Sequence, residues 1–322
     1  MSASPRIPVI VGPTAGGKTA LAVEVALEFE RRGCGRGEVI SADAFQVYRA
    51  MDIGTGKATA HERRGVVHHC IDVLEPDDPA PFTVARWLQL TEAAARQIRA
   101  RGGVPIIAGG THLYVKSFLE GMFEGPGADE RVREQLRSMS PAARREELER
   151  VDPVAAARIH PNDERRTIRA IEVYRLTGTP MSDHQTQWDR DPRPDAVLVG
   201  LDWEPGAINR RINARVREMV ERGLVEEVRA LWQSGRLGPQ ATEALGYKQV
   251  VAWLDAGADE AGLTDTLEQI KIETRRYAKN QRTWLRRLRK ITGAVWLRPA
   301  GQSLGEMTQT VVAAALLATE RP

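Results

Sequence analysis

A chain of 322 residues that is 42% hydrophobic and 28% charged, with a formal net charge of only +3, has the composition of an ordinary globular protein with room for one large domain or two. Two cysteines, Cys34 and Cys70, exclude a disulfide framework and a cysteine-rich zinc module. The opening residues lack the basic-then-apolar order of a signal peptide, and the longest late apolar run, 311–318, is far too short to span a bilayer; both predict a cytoplasmic protein with no membrane partner.

The first predicted element is a short buried strand over 7–11. It leads into Gly12-Pro13-Thr14-Ala15-Gly16-Gly17-Lys18-Thr19, which fits the phosphate-cradling pattern G-x-x-x-x-G-K-[ST]. Ala22, Val25, Ala26 and Phe29 then repeat at helical spacing, so the loop stands between strand and helix. There the glycines let successive N–H groups turn toward one anion, and the helix adds its unpaired N–H groups and the positive end of its dipole. Lys18 would bring a point charge to the terminal phosphates and the Thr19 hydroxyl would ligate Mg²⁺. A nucleoside triphosphate and a non-nucleotide diphosphate present the same oxygens to such a loop.

A loose turn at 33–37 precedes a second strand over 38–41, and Asp43 stands just past its end. In an open parallel sheet that edge is where ligands sit. The carboxylate there is a Mg²⁺- or water-holding group, a general base, or a helix cap. Ala44, Phe45, Gln46, Val47 and Tyr48 offer aromatic and amide groups to a base, although Phe45 and Tyr48 at i, i+3 equally make a core-facing helical pair. Residues 51–59 read as a flexible loop over the site and 66–73 as a third strand, with His68 and His69 packed or capped inside it. A helix over 83–101 follows. The strand over 104–108 ends at Gly109-Gly110-Thr111, which brings Thr111 to the same edge as Thr19 and Asp43.

From 129 to 187 the chain has helical stretches and no clear strand, and strand character returns over 196–203. Such a block between two strand-bearing segments reads as an insertion. Within it Arg165, Arg166 and Arg169 lie on a helix that starts at Pro161-Asn162-Asp163, facing either Glu172 or phosphates. Further on, 271–290 holds nine basic residues and one acidic, a local charge of +8. Ile270, Tyr277, Trp284, Leu288 and Ile291 form the stripe expected to pack inward there, and the other faces call for a polyanion or a diphosphate. A strand over 294–297 and a tail helix close the chain. The expected fold is therefore an α/β P-loop parallel sheet flanked by helices, formed by 1–122 and 196–322, with a helical insertion domain over 123–195.

Six blocks carry a resemblance. GPTAGGKT at 12–19, SADAFQVYRAMDIGT at 41–55, GGTHLY at 109–114, VDPVAAARIHPND at 151–163, GYKQ at 246–249 and TRRYAKNQRTWLR at 274–286 resemble the tRNA dimethylallyltransferases, or isopentenyl-tRNA transferases, of the bacterial type. The blocks cover nearly the whole chain, and their combination in this order is specific. The resemblance implies transfer of a dimethylallyl group from dimethylallyl diphosphate to N6 of adenosine 37, in tRNAs reading codons that begin with U, with Mg²⁺ as cofactor and diphosphate released. It implies that Asp43 is the base and Thr111 a contact at the adenosine. Residues 12–19 then hold the diphosphate, with Lys18 and a basic residue such as Arg275 neutralising it. Asp43, Ala44, Phe45, Gln46 and Thr111 line the channel for the flipped adenosine. Arg133, the stretch Arg165-Arg166-Thr167-Ile168-Arg169 and the basic helix hold the RNA. The enzyme is expected to act as a monomer on the anticodon loop. Ala44 stands where Ser is usual, Gly16 where Ser is common, His112 where a small residue is common and Asn280 where Arg is common.

Other classes compete. A prenyltransferase of free adenine nucleotides is the nearest alternative, but it needs neither an insertion nor a basic helix. A small-molecule P-loop kinase would account for the glycine loop alone, and a binding-only RNA protein has no use for Lys18 and Thr19 in a phosphate cradle. Steep salt dependence, with a log–log slope of about −0.7 to −0.9 per phosphate contact, marks the tRNA binder.

Overall fold

The computed structural model describes residues 4–122, 125–184 and 192–317, so positions 185–187 of the expected helical block and 318 of the late apolar run lie outside the described residues. The chain divides into two compact units, Met1–Leu119 with Arg193–Pro322, and Glu120–Pro192.

In the first unit β1 (Ile7–Val11) leads through the glycine loop into α1 (Lys18–Arg31) and on to β2 (Gly37–Ala42). A single turn, α2 (Ala60–Arg63), precedes β3 (His68–His69); α3 (Val84–Ala100), β4 (Val104–Gly109) and α4 (His112–Glu120) follow. The second unit is helical: α5 (Glu130–Ser138), α6 (Pro141–Val151), α7 (Pro153–Arg158), α8 (Glu164–Thr177) and α9 (Met181–His184). Side chains of Asp129, Ser140, Asp152 and Asp163 each accept from an N–H in the first turn of the next helix, which is why this segment breaks into short helices at those points. The chain returns to the first unit with β5 (Ala196–Leu201), α10 (Pro205–Glu221), α11 (Leu224–Gln233), α12 (Pro239–Thr242), α13 (Tyr247–Asp255), α14 (Glu260–Leu288), β6 (Val295–Leu297) and α15 (Leu304–Leu316).

The six strands among the described residues are all parallel, in the order β3-β2-β4-β1-β5-β6. Every residue of β1, β2, β4 and β5 is buried, as expected for central strands covered on both faces. Alternate side chains serve different cores. Val9, Val11, Ile40, Ile107 and Leu198 pack with α3, α4, α10 and α11, while Ile10, Val39, Ile106 and Val199 pack under α1 and α15. This is the predicted P-loop parallel sheet flanked by helices.

The expected third strand over 66–73 shrinks to two residues. Cys70 and Asp72 take left-handed backbone, φ 58° and 54°, and such residues cannot continue a strand. Cys70 is buried, its sulfur 3.9 Å from the Thr91 hydroxyl. The Glu38 carboxylate accepts from His69 Nε2 at 2.7 Å, and His68 Nδ1 lies 3.0 Å from Val66 O, so both histidines serve packing and capping as expected. The region around Phe45 and Tyr48 is a turn rather than a helix. In α14 the buried face is Ile270, Ala278, Gln281, Leu285 and Leu288, and Tyr277, expected inside, is exposed along one side. No helix among the described residues is long and apolar enough to cross a membrane.

Candidate active site

The carboxyl ends of β1, β2, β4 and β5 deliver the glycine loop, Asp43, Thr111 and Trp203 to one edge of the sheet. Between β1 and α1 the chain turns tightly: Gly16 N–H donates to Pro13 O at 3.1 Å, and a Cβ on Gly16 would lie 2.8 Å from that same oxygen. Gly17 ends the loop with φ +85° and leaves α1 without a side-chain cap, so the first-turn N–H groups are left for an anion. The loop is braced from outside. Trp203 donates from Nε1 to Gly16 O at 3.0 Å, and Arg211, its guanidinium 4.9 Å from the Trp203 ring, donates to Ala15 O at 2.8 Å. Gln281 of α14 accepts from Thr14 N–H at 2.8 Å and donates to Gly110 O at 3.0 Å, tying the loop to the end of β4.

Lys18 folds back onto its own loop and donates to Pro13 O at 2.8 Å. Burial, and then the positive charge of Arg215, push its ammonium down to about 8, against the pull of Asp43. Thr19 follows in the first turn of α1. Asp43 Oδ1 accepts from the Phe45 N–H at 2.9 Å and the Gln46 N–H at 3.4 Å, so it caps the turn that follows β2. The Thr111 hydroxyl accepts from the Ala44 N–H at 3.1 Å and thereby holds that turn against β4. Burial and the Asp43 charge raise the Tyr277 and Tyr114 hydroxyls above their ordinary range, so both remain protonated donors.

A cavity of about 290 Å³ opens beside the phosphate loop and the Asp43 turn; Lys18 and Thr19 are not in its wall. Its polar wall includes Thr14, Asp43, Thr111, Arg215 and Tyr277; Ile212, Val216, Met219, Leu224 and Ile270 make most of the rest apolar. The wall thus combines hydroxyls and a guanidinium that suit an anion, two carboxylates, Asp43 and Glu243, and an apolar surface that suits a short hydrocarbon and a flat ring.

The expected residues divide. Thr14, Ala15, Asp43, Ala44, Phe45 and Thr111 line the cavity. Gln46 does not present its amide there: Oε1 is 2.8 Å from the Ser41 hydroxyl, and Nε2 donates toward the carbonyls of Thr55 and Gly56. Arg275 does not line the cavity either; it donates to Asn213 Oδ1 at 2.6 Å. The arginine whose charge is felt at both Lys18 and Asp43 is Arg215, and burial lowers its own proton affinity. Arg215, Arg211, Trp203 and Gln281 were missed in sequence. Arg211 and Arg215, four apart beside the buried Ile208, Ile212 and Val216, were the available signal.

In the second unit Glu172 is fully buried and takes Arg133 at 2.8 Å, Arg169 at 2.6 Å and the Asp129 N–H at 2.8 Å. Arg169 also donates to Pro126 O at 2.7 Å. Thr167 and Ile168 face that unit's own core, whereas Arg165 and Arg166 are exposed, the latter 3.3 Å from Asp163.

The IPP transferase family matches residues 46–288, and the isopentenyl transferase family matches residues 5–72. The tRNA dimethylallyltransferase of Desulforudis audaxviator is 44% identical over 297 residues, 90% of this chain and 92% of that protein. That of Geobacillus kaustophilus is 43% identical over 286 residues, 87% of each. Among solved structures, the full-length tRNA isopentenylpyrophosphate transferase of Bacillus halodurans superposes with a TM-score of 0.68 at 36% identity, covering 97% of each chain. A eukaryotic dimethylallyltransferase acting on tRNA gives 0.79 at 28% identity, over 96% of this chain and 78% of that one. With a phosphate loop, a carboxylate and an apolar cavity at one sheet edge, and with relatives matched over nearly their full length, the chain belongs to the tRNA dimethylallyltransferase family of prenyl-transferring enzymes.

Proposed function

We propose that the protein transfers the dimethylallyl group of dimethylallyl diphosphate to N6 of adenosine 37 in the anticodon loop of tRNAs reading codons that begin with U. The observation that carries this reading is the single cavity whose walls include Thr14 and Ala15 of the phosphate loop, the Asp43 carboxylate and a largely apolar remainder. The diphosphate would lie on the loop with Lys18 and Arg215 facing it. As the allylic C–O bond breaks, its electron pair goes to a diphosphate oxygen, where these fixed positive groups stabilise it. The N6 nitrogen forms the new C–N bond and gives a proton to Asp43, whose turn is held by Thr111. A base in an RNA loop is already partly unstacked, so placing it between Phe45 and the apolar wall costs less than extruding it from a duplex.

Among the described residues no group of three His, Cys, Asp or Glu side chains is arranged to hold a metal ion. Thr19, half-buried in the first turn of α1 where the phosphate loop ends, is the residue that would hold Mg²⁺. Such an ion would neutralise charge on the leaving group. Exposed Arg165 and Arg166 suit RNA backbone phosphates, whereas Arg133 and Arg169 shape the same unit through Glu172, and Thr167 and Ile168 through its core. The reading takes the protein to act as a monomer in the cytoplasm.

The test is transfer of label from dimethylallyl diphosphate into unmodified tRNA with adenosine at position 37, beside Asp43→Ala and with AMP as a competing acceptor. Label in tRNA that falls by about 10² to 10⁴ in Asp43→Ala supports the reading. Label in AMP alone would identify a free-nucleotide enzyme instead.

A further inference from the structure

The segment following the Asp43 turn is held down by a residue far away in sequence. The Glu227 carboxylate, in the first turn of α11, accepts from three successive backbone N–H groups: Asp52 at 2.9 Å and Ile53 at 2.8 Å on Oε2, and Gly54 at 3.1 Å on Oε1. The fully buried Tyr247 donates its hydroxyl to the same Oε1. Three parallel N–H groups on one chain need an anion or water, and a carboxylate at a helix N-terminus is well placed to be that anion. The contact leaves no slack, since a Cβ on Gly54 would lie 2.4 Å from the Tyr247 ring and 2.8 Å from Leu224 Cδ1. At its other end the segment is anchored by buried Lys57, which bonds Asp52 at 2.7 Å and also pairs with Asp72.

Between these two anchors stand Gly54 and Thr55, both in the cavity wall. Carbonyls of the segment hold groups next to the site: Thr55 O and Gly56 O accept from the side chain of Gln46, whose backbone N–H donates to Asp43, and Gly56 O lies 3.5 Å from Arg215 Nη2. A shift of the segment therefore moves the turn that carries Asp43, whereas Arg215 loses no more than one marginal contact at 3.5 Å and stays with the phosphate loop. The glycine loop itself has other supports, Trp203, Arg211 and Gln281, and makes none of these contacts.

We propose that Glu227 is a positioning residue for the transfer, holding segment 52–57 as the acceptor-side wall of the cavity without touching the diphosphate cradle. The inference rests on the transferase reading above. It separates the two substrates: loss of Glu227 acts on use of the tRNA and leaves pyrophosphate binding alone.

The experiment compares the parent with Glu227→Ala, Glu227→Gln and Tyr247→Phe, by steady-state transfer to tRNA and by calorimetric binding of Mg²⁺-pyrophosphate. Hydrogen exchange of the 52–54 amides is followed in parallel. In Glu227→Ala we expect kcat/KM for tRNA to fall about ten- to a hundredfold, the scale of a misplaced reacting group. Pyrophosphate affinity should stay within about twofold, and amides 52–54 should exchange faster than those of α1. Glu227→Gln, which keeps one acceptor oxygen, should fall between the parent and Glu227→Ala. Tyr247→Phe, which leaves the carboxylate on the loop, should lose the least. The proposal is overturned if Glu227→Ala prenylates tRNA within about threefold of the parent, if pyrophosphate affinity falls by the same factor as transfer, or if the 52–54 amides keep their protection. A parent that labels no tRNA would instead overturn the transferase reading.

Discussion

The two units treat their positive charge in opposite ways. In the sheet-bearing unit Lys18 and Arg215 are close enough to feel one another and are drawn out of water; the Asp43 charge offsets part of this at both, but neither is in an ion pair within 4.0 Å among the described residues. In the helical unit Arg133 and Arg169 converge on one fully buried carboxylate, Glu172. Paired arginines of the second kind hold a fold together; crowded cations of the first kind are disfavoured until an anion arrives. The difference marks where a phosphate ligand belongs more directly than the density of basic residues does.

Removing Lys18 breaks the comparison at its strongest point. Lys18→Ala should lower the rate of transfer by about 10² to 10³, the effect of deleting one preorganised charge, with little change in thermal stability. Next in size is Glu172→Ala. It leaves two arginines without their partner and should cost about 2–3 kcal/mol, below the range for a wholly buried pair because both guanidiniums are partly exposed; denaturant unfolding measures it.

Acid should reproduce part of that loss. Burial raises the Glu172 carboxyl, but hydrogen bonds from Arg133, Arg169 and the Asp129 N–H outweigh it and hold it below its ordinary value of 4.5. A carboxylate depressed on folding contributes stability that is full above that value and is lost as pH falls through the lower, folded-state value. Melting of the helical unit should therefore move to lower temperature below about pH 4.5 in the parent and much less in Glu172→Ala.

A subtler test concerns Lys18 on the alkaline side. With its ammonium at about 8, it is charged below that pH and neutral above, so pyrophosphate affinity should decline as pH rises through about 8. Arg215→Gln removes a repelling charge and should shift that decline to higher pH, read by calorimetry across a pH series. Smallest is Arg165→Ala, which should weaken tRNA binding a few-fold, reduce the salt slope by about 1 and leave stability unchanged.

The sheet, its helices and the placement of Lys18, Asp43 and Thr111 were legible because each rests on a local signal: an apolar run, a glycine loop, a residue just beyond a strand end. The third strand was overread. An apolar 66–73 cannot announce that Cys70 and Asp72 adopt left-handed backbone. Periodicity put Tyr277 in the packed stripe of α14, where a polar residue, Gln281, is buried because two loop groups need its amide. Arg215 and Glu227 were illegible for a related reason. Their partners in segment 52–56 are more than 150 residues away, and nothing near them in sequence records that distance.

Cys70 has a further use. Burial pushes its thiol up to about 11, so at neutral pH it is neither exposed nor a thiolate, while Cys34 is partly accessible. Thiol-reactive probes should therefore select one position without any mutation. Cys34 lies just beyond the far end of α1, whose first turn follows directly on the phosphate loop, roughly 20 Å along the helix axis. A fluorophore there would sit on the same rigid rod as the cradle yet outside it, which makes the wild-type chain its own labelled reagent for following substrate arrival.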